Sequence, residues 1–115
     1  MQNVRLFHTG DITQAVLAVP TGHRHLRLAL HTAEGEILIF PEAVVAAIVR
    51  AYVTLKTHPL RTAILLAARQ PETVKDGYAS TQLLETADDE SELQTRLATW
   101  LTRAETPSPE HPPRT

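Results

Sequence analysis

His23-Arg24-His25-Leu26-Arg27-Leu28-Ala29-Leu30-His31-Thr32-Ala33 is the stretch that decides how this chain folds. Read at the two-residue period of a β-strand, it has faces of different chemistry. Arg24, Leu26, Leu28 and Leu30 make one side mostly apolar, while His23, His25, Arg27 and His31 load the other with imidazole and guanidinium groups. One side can close a core and leave the other for a ligand or a partner, which points to binding rather than catalysis.

Toward the N-terminus, Asn3 to Thr9 and Ile12 to Val19 read as two further strands separated by a Gly10-Asp11 turn, and Pro20-Thr21-Gly22 breaks the pattern before the long strand. Toward the C-terminus, Glu34-Gly35 reads as a second hairpin turn followed by a strand from Glu36 to Phe40. The expected unit is a four-stranded antiparallel meander. Two-residue loops at Gly10-Asp11 and Glu34-Gly35 and a four-residue loop from Pro20 to His23 pair Leu6 with Ala15, Leu17 with Leu26 and Leu30 with Ile39. Val4, Leu6, Leu17, Val19, Leu26, Leu28, Leu30, Ile37 and Ile39 then share the apolar face. Arg5, Phe7, Gln14, Val16, Ala18, His25, Arg27, Ala29, His31, Leu38 and Phe40 share the opposite one.

After Pro41, which suits a first helical position, the period changes. Val44, Ile48, Ala51 and Leu55 recur at helical spacing, with Val45, Val49 and Tyr52 widening the apolar stripe until His58-Pro59 ends the helix. So broad a stripe predicts burial by more than one partner: the sheet, the last helix or a second subunit. Arg61 to Gln70 fits a short helix or a buried strand; the strand is preferred, paired with Tyr78 to Leu84 across the loop 71–77. Asp88 or Asp89 opens a final amphipathic helix with Leu93, Leu97, Trp100, Leu101 and Ala104 as its stripe, and Asp89-Glu90-Ser91-Glu92 resembles a capping box. The fold class is therefore α+β: a four-stranded meander, a buried helix, a β-hairpin and a C-terminal helix. Residues 1–104 form one domain, and 105–115, rich in proline, form a disordered tail.

Composition sets the limits. The 115 residues suit a single core, and the absence of cysteine rules out disulfides, thiolate zinc sites and cysteine nucleophiles. No apolar run is long enough to span a bilayer and no secretory signal is legible, so the expected location is cytoplasmic. The net charge of −2 is unevenly spread. Residues 1–69 hold seven basic and four acidic side chains, and residues 70–115 hold four basic and nine acidic. An anionic ligand would thus meet the first half.

The sheet face carrying Arg5, Phe7, His25, Arg27 and His31 is the candidate nucleic-acid-binding site. Arg planes and aromatic rings can stack on unpaired bases while cations meet phosphate. The meander, the Gly35 turn and the stretch Gly35-Glu36-Ile37-Leu38-Ile39-Phe40-Pro41-Glu42 opening a helix resemble the single-strand-binding folds of the transcriptional coactivator, Pur and Whirly proteins, over about residues 3–56. That resemblance implies single-stranded DNA or RNA as partner and pairing of units through helices. The competing reading is a dimeric protein-interaction or assembly domain using the same face against another polypeptide. No catalytic signature, metal site or cofactor motif is legible: His23 and His25 have no third ligand at a fixed spacing, and Asp88-Asp89-Glu90 reads as helix-start chemistry. The chain is expected to be non-enzymatic, without metal or cofactor, and a homodimer.

Overall fold

A computed structural model of the chain describes residues 3–70, 72–73 and 81–105. Its elements are β1 (Ile12–Ala18), β2 (Arg27–Thr32), β3 (Ile37–Pro41), α1 (Glu42–Thr57), β4 (Leu65–Arg69), β5 (Gln82–Thr86) and α2 (Glu90–Glu105). The architecture is α+β: an antiparallel three-stranded sheet ordered β1-β2-β3, a helix, an antiparallel β4-β5 hairpin and a C-terminal helix. The expected fourth strand is missing. Residues 3–8 form no strand, and a single 3-10 turn over Thr9–Asp11 leads into β1.

The β1–β2 ladder pairs Leu17 with Leu28 and Ala15 with Leu30, two residues from the expected register, so the faces are preserved. The connection is longer than a four-residue loop: Gly22, at φ +83, completes a turn in which the His23 amide donates to the Pro20 carbonyl at 2.9 Å. Bends at Arg24 and His25 then delay the strand until Arg27.

The β2–β3 ladder corrects the sequence reading more deeply. Leu30 pairs with Leu38 and Leu28 with Phe40, one residue away from the expected pairing of Leu30 with Ile39. The turn explains this. The Gly35 amide donates to the Thr32 carbonyl (3.0 Å), the Thr32 amide to the Glu36 carbonyl (2.9 Å), and Gly35 has φ +93. The loop is therefore three residues, Ala33-Glu34-Gly35, with glycine in the left-handed position that closes a bulge. One extra loop residue exchanges the two faces of β3. Leu38 and Phe40 join Leu28 and Leu30 on the half-buried face, and Ile37 and Ile39 turn outward beside Arg27 and His31, 61% and 65% exposed. Ile39, expected in the core, is not there.

Glu42 starts α1 because Pro41, extended at φ −73 and ψ 160, is its N-cap rather than its first residue; His58 caps the other end. The Glu42 carboxylate accepts the Leu26 amide at 2.6 Å, tying the helix start to the approach of β2. Helix α1 packs against β2, β3 and β5. It is only partly covered, and here the expected buried helix is corrected: Ala47 is the one buried apolar residue among those described, while Ile48, Val49, Tyr52 and Val53 are at least half exposed.

β4 and β5 pair Leu65 with Thr86 through Arg69 with Gln82, in line with the strand preferred for Arg61 to Gln70. Most of the connecting loop, residues 71 and 74–77, lies outside the described residues, as do Tyr78 to Ser80 of the expected partner strand. Helix α2 is capped by Asp89, whose Oδ1 accepts both the amide and the hydroxyl of Ser91 at 2.9 Å. The Asp89 amide donates to Asp88 Oδ1 (2.8 Å), a contact that stands where a capping box would use Glu92. Glu105 is the last residue of α2; the expected disordered tail beyond it, 106–115, lies outside the described residues. None of the described helices is long and apolar enough to cross a membrane.

Candidate functional site

The outer face of the three-stranded sheet is built by alternation from Gln14, Val16 and Ala18 on β1, Arg27, Ala29 and His31 on β2, and Ile37 and Ile39 on β3. Arg27 stands at the first residue of its strand. Its guanidinium donates to the carbonyls of Leu26 (3.1 Å) and His25 (3.3 Å), curling back along its own chain. No carboxylate of the described residues pairs with it, whereas Arg5, Arg61 and Arg96 all have acidic partners.

His31 is held by the β1 bulge. Thr13, the extra residue between Ile12 and Gln14, places its hydroxyl 2.7 Å from His31 Nδ1 and 3.0 Å from the His31 carbonyl. A hydroxyl has one hydrogen, and donating it to the carbonyl leaves the oxygen to accept from Nδ1–H. The bond pattern thus assigns the neutral ring its Nδ1–H tautomer and leaves Nε2 as the acceptor.

The other three site residues are placed differently from the sequence reading. His25 lies in the bend ahead of β2, off the ladder, with its carbonyl taken by Arg27. Arg5 and Phe7 lie in the N-terminal segment outside the sheet. The Arg5 guanidinium stacks on the Phe7 ring, 4.4 Å from its centroid, and forms ion pairs with Glu36 and Glu34 on either side of Gly35. The hydrogen bond to Glu36 is the main cause raising the Arg5 pKa above its ordinary value. Phe40, the other aromatic expected on the cationic face, points to the opposite side. The face that results has one guanidinium without a carboxylate partner among the described residues, one imidazole and three exposed β-branched residues, Val16, Ile37 and Ile39, with no aromatic ring on the ladder positions.

What sequence reading missed was the presence of Ile37 and Ile39 on this surface. The signal was available: glycine in the third position of a short loop is the signature of a three-residue hairpin connection.

A second polar centre holds α2. Glu90 Oε1 accepts the amides of Thr62 (3.0 Å) and Ala63 (3.2 Å) and Nε of Arg61 (3.3 Å), and Arg61 also reaches Glu85 at 2.7 Å. The Ala63 and Thr62 amides, followed by Arg61, hold the Glu90 carboxyl below the ordinary range. Glu85, then Glu90, raises Arg61. These contacts tie the start of α2 to the segment ahead of β4 and so make the cluster an anchor for the helix. Among the described residues, no group of three or more His, Asp or Glu side chains is arranged to hold a metal ion.

Comparison of the chain with protein-family models, with curated proteins and with solved structures gave no match.

Proposed function

We propose that this chain is a non-enzymatic association module that works as a homo-oligomer, its apolar surfaces covered by another copy. The observation that carries this reading is the mismatch between core and surface. Among the described residues, Ala47 is the buried apolar side chain, while Leu17, Val19, Ile37, Ile39, Ile48 and Tyr52 are each more than half exposed. So many large apolar side chains left in water, over both the sheet and α1, favour an interaction role, each Å² covered contributing roughly 25 cal/mol before association costs. Sedimentation equilibrium on the full chain should show a dimer or a higher oligomer at micromolar concentration. A monomer up to millimolar concentration defeats the proposal.

Single-stranded nucleic acid is the second reading, the one that the resemblance to coactivator, Pur and Whirly folds implies. It is favoured by Arg27, a guanidinium with no carboxylate partner among the described residues, standing with His31 on the outer sheet face. Arg27 would meet phosphate, the His31 and His25 rings would offer stacking and hydrogen-bonding surface, and Ile37 and Ile39 would lie against bases. Arg5 and Phe7, engaged with each other and with Glu34 and Glu36, would have to be released to take part. Fluorescence anisotropy with labelled single-stranded and duplex oligonucleotides tests it. Affinity should fall steeply with salt and drop with Arg27→Ala. No binding at low salt, or binding indifferent to Arg27→Ala, removes this site.

A further inference from the structure

The side chains of α1 divide around its axis. Val44, Ala47, Ala51 and Leu55 are buried or half-buried against the sheet and hairpin. At 3.6 residues per turn, Val45, Ile48, Val49, Tyr52 and Val53 fall on one stripe about 140° wide on another side. Four of these five are at least half exposed. The stripe has no charge along its middle, since Arg50 projects elsewhere, and it ends in opposite charges: Glu42 in the first turn and Lys56 in the last.

We infer that a second copy of this chain lays its α1 antiparallel on this stripe, about a twofold axis at Val49. The charge pattern selects both the occupant and its direction. Glu42 and Lys56 lie equally far from Val49 along the helix, so antiparallel pairing sets Lys56 of each copy against Glu42 of the other. Parallel pairing would set Glu42 against Glu42 and Lys56 against Lys56, which repel. Glu42 gives the Leu26 amide one oxygen and keeps acceptor capacity for an ammonium. Val45 then meets Val53 on each side of the axis, closing an apolar seam between the charged ends. This inference rests on the association reading and names the face that association uses.

The chain has no cysteine, so a single introduced thiol reports on one position. In Val49→Cys, two thiols facing each other across the axis come within disulfide reach, with Cα atoms about 4.4–6.8 Å apart. In Lys56→Cys, on the same stripe, antiparallel pairing holds the thiols roughly 21 Å apart along the helices. After mild oxidation, most of the Val49→Cys chain should run as a covalent dimer on a non-reducing gel. Lys56→Cys should remain monomeric there. Circular dichroism of the reduced variants should match the parent. Cross-linking of Val49→Cys no greater than in denaturant, or equal cross-linking of Lys56→Cys, overturns the antiparallel seam; with a dimer in sedimentation, the association reading survives. A monomer in sedimentation overturns both.

Discussion

The two halves of this molecule differ in what their side chains leave open. In the half that holds β4, β5 and α2, polar groups find partners within the chain: Glu90 satisfies two amides and Arg61, Arg61 also reaches Glu85, and Gln94 donates to the Thr62 carbonyl at 2.8 Å. In the half that holds β1 to β3 and α1, the strands ladder around a bulge at Thr13, and many large apolar side chains stay at least half exposed, from Leu17 on β1 to Tyr52 on α1. Hydrogen bonds and ion pairs are short-range and directional, so a few well-placed side chains complete a local anchor. Apolar burial scales with area, and a three-stranded sheet with one helix has too little surface to cover itself. The first half is pinned by polar contacts, although Leu97 on α2 is still 51% exposed; the second carries the broader apolar stripe, on α1, which we propose another copy covers.

That contrast can be broken most forcefully on α1. Val49→Asp puts two carboxylates together at the twofold axis and should weaken dimerisation by at least about 100-fold in sedimentation experiments. If the stripe were ordinary solvated surface, the same variant would leave mass and Tm unchanged.

Next in size is the anchor. Glu90→Ala leaves the Thr62 and Ala63 amides without their acceptor and should lower Tm by several degrees while leaving the oligomer mass intact. An unchanged Tm would mean that α2 is held by something other than this carboxylate.

Acid probes the same corner. The Asp89 and Glu90 carboxyls both have folded pKa values below their unfolded ones, Asp89 through the Ser91 hydroxyl and amide and Glu90 through the Ala63 and Thr62 amides. Their contribution is therefore fully present above the unfolded values of about 4 and is lost as pH falls through the lower folded values. Helicity followed by circular dichroism should fall in that acidic window, and in Glu90→Ala the fall should be shallower. An equally steep fall in the variant would assign the acid transition to other groups.

A smaller effect is expected at Gly35. Alanine there carries a Cβ into φ +93, costing about 1 kcal/mol in chemical denaturation, with no change in the α2 anchor. The smallest effect belongs to Arg5→Ala. Its ion pairs with Glu34 and Glu36 are exposed and screened, so Tm should not move measurably, and a large drop would show that the N-terminal segment does more than lie beside the turn.

Much of the fold was legible because its signals are local. The alternation around Leu28 and Leu30, the position of the Gly35 turn, the change of period after Pro41 and the helix start at Asp89 each depend on a few neighbouring residues, and each corresponds to a feature of the structure. The strand expected over Asn3 to Thr9 was not legible in the same way. It has strand-like alternation, but pairing requires a neighbouring edge, and Arg5 is instead drawn to Glu34 and Glu36, far along the chain. The candidate site suffered most. His31 and Arg27 share the outer face as expected, but Arg5 and Phe7 depended on the missing strand, His25 on the longer strand, and Phe40 on the register of β3.

The sequence by itself determined the α+β class, the order of strands and helices from β1 onward, and an excess of apolar residues on α1, since propensity, period and capping act over one or two turns of chain. Only the tertiary structure decided which side of the sheet carries Ile37 and Ile39, that Arg5 pairs with Glu34 and Glu36 rather than facing outward with Arg27, and that the apolar stripe of α1 faces solvent. The physical reason is range. A one-residue difference in a loop reverses a whole strand, and burial depends on how much surface distant segments bring together, which no local pattern records.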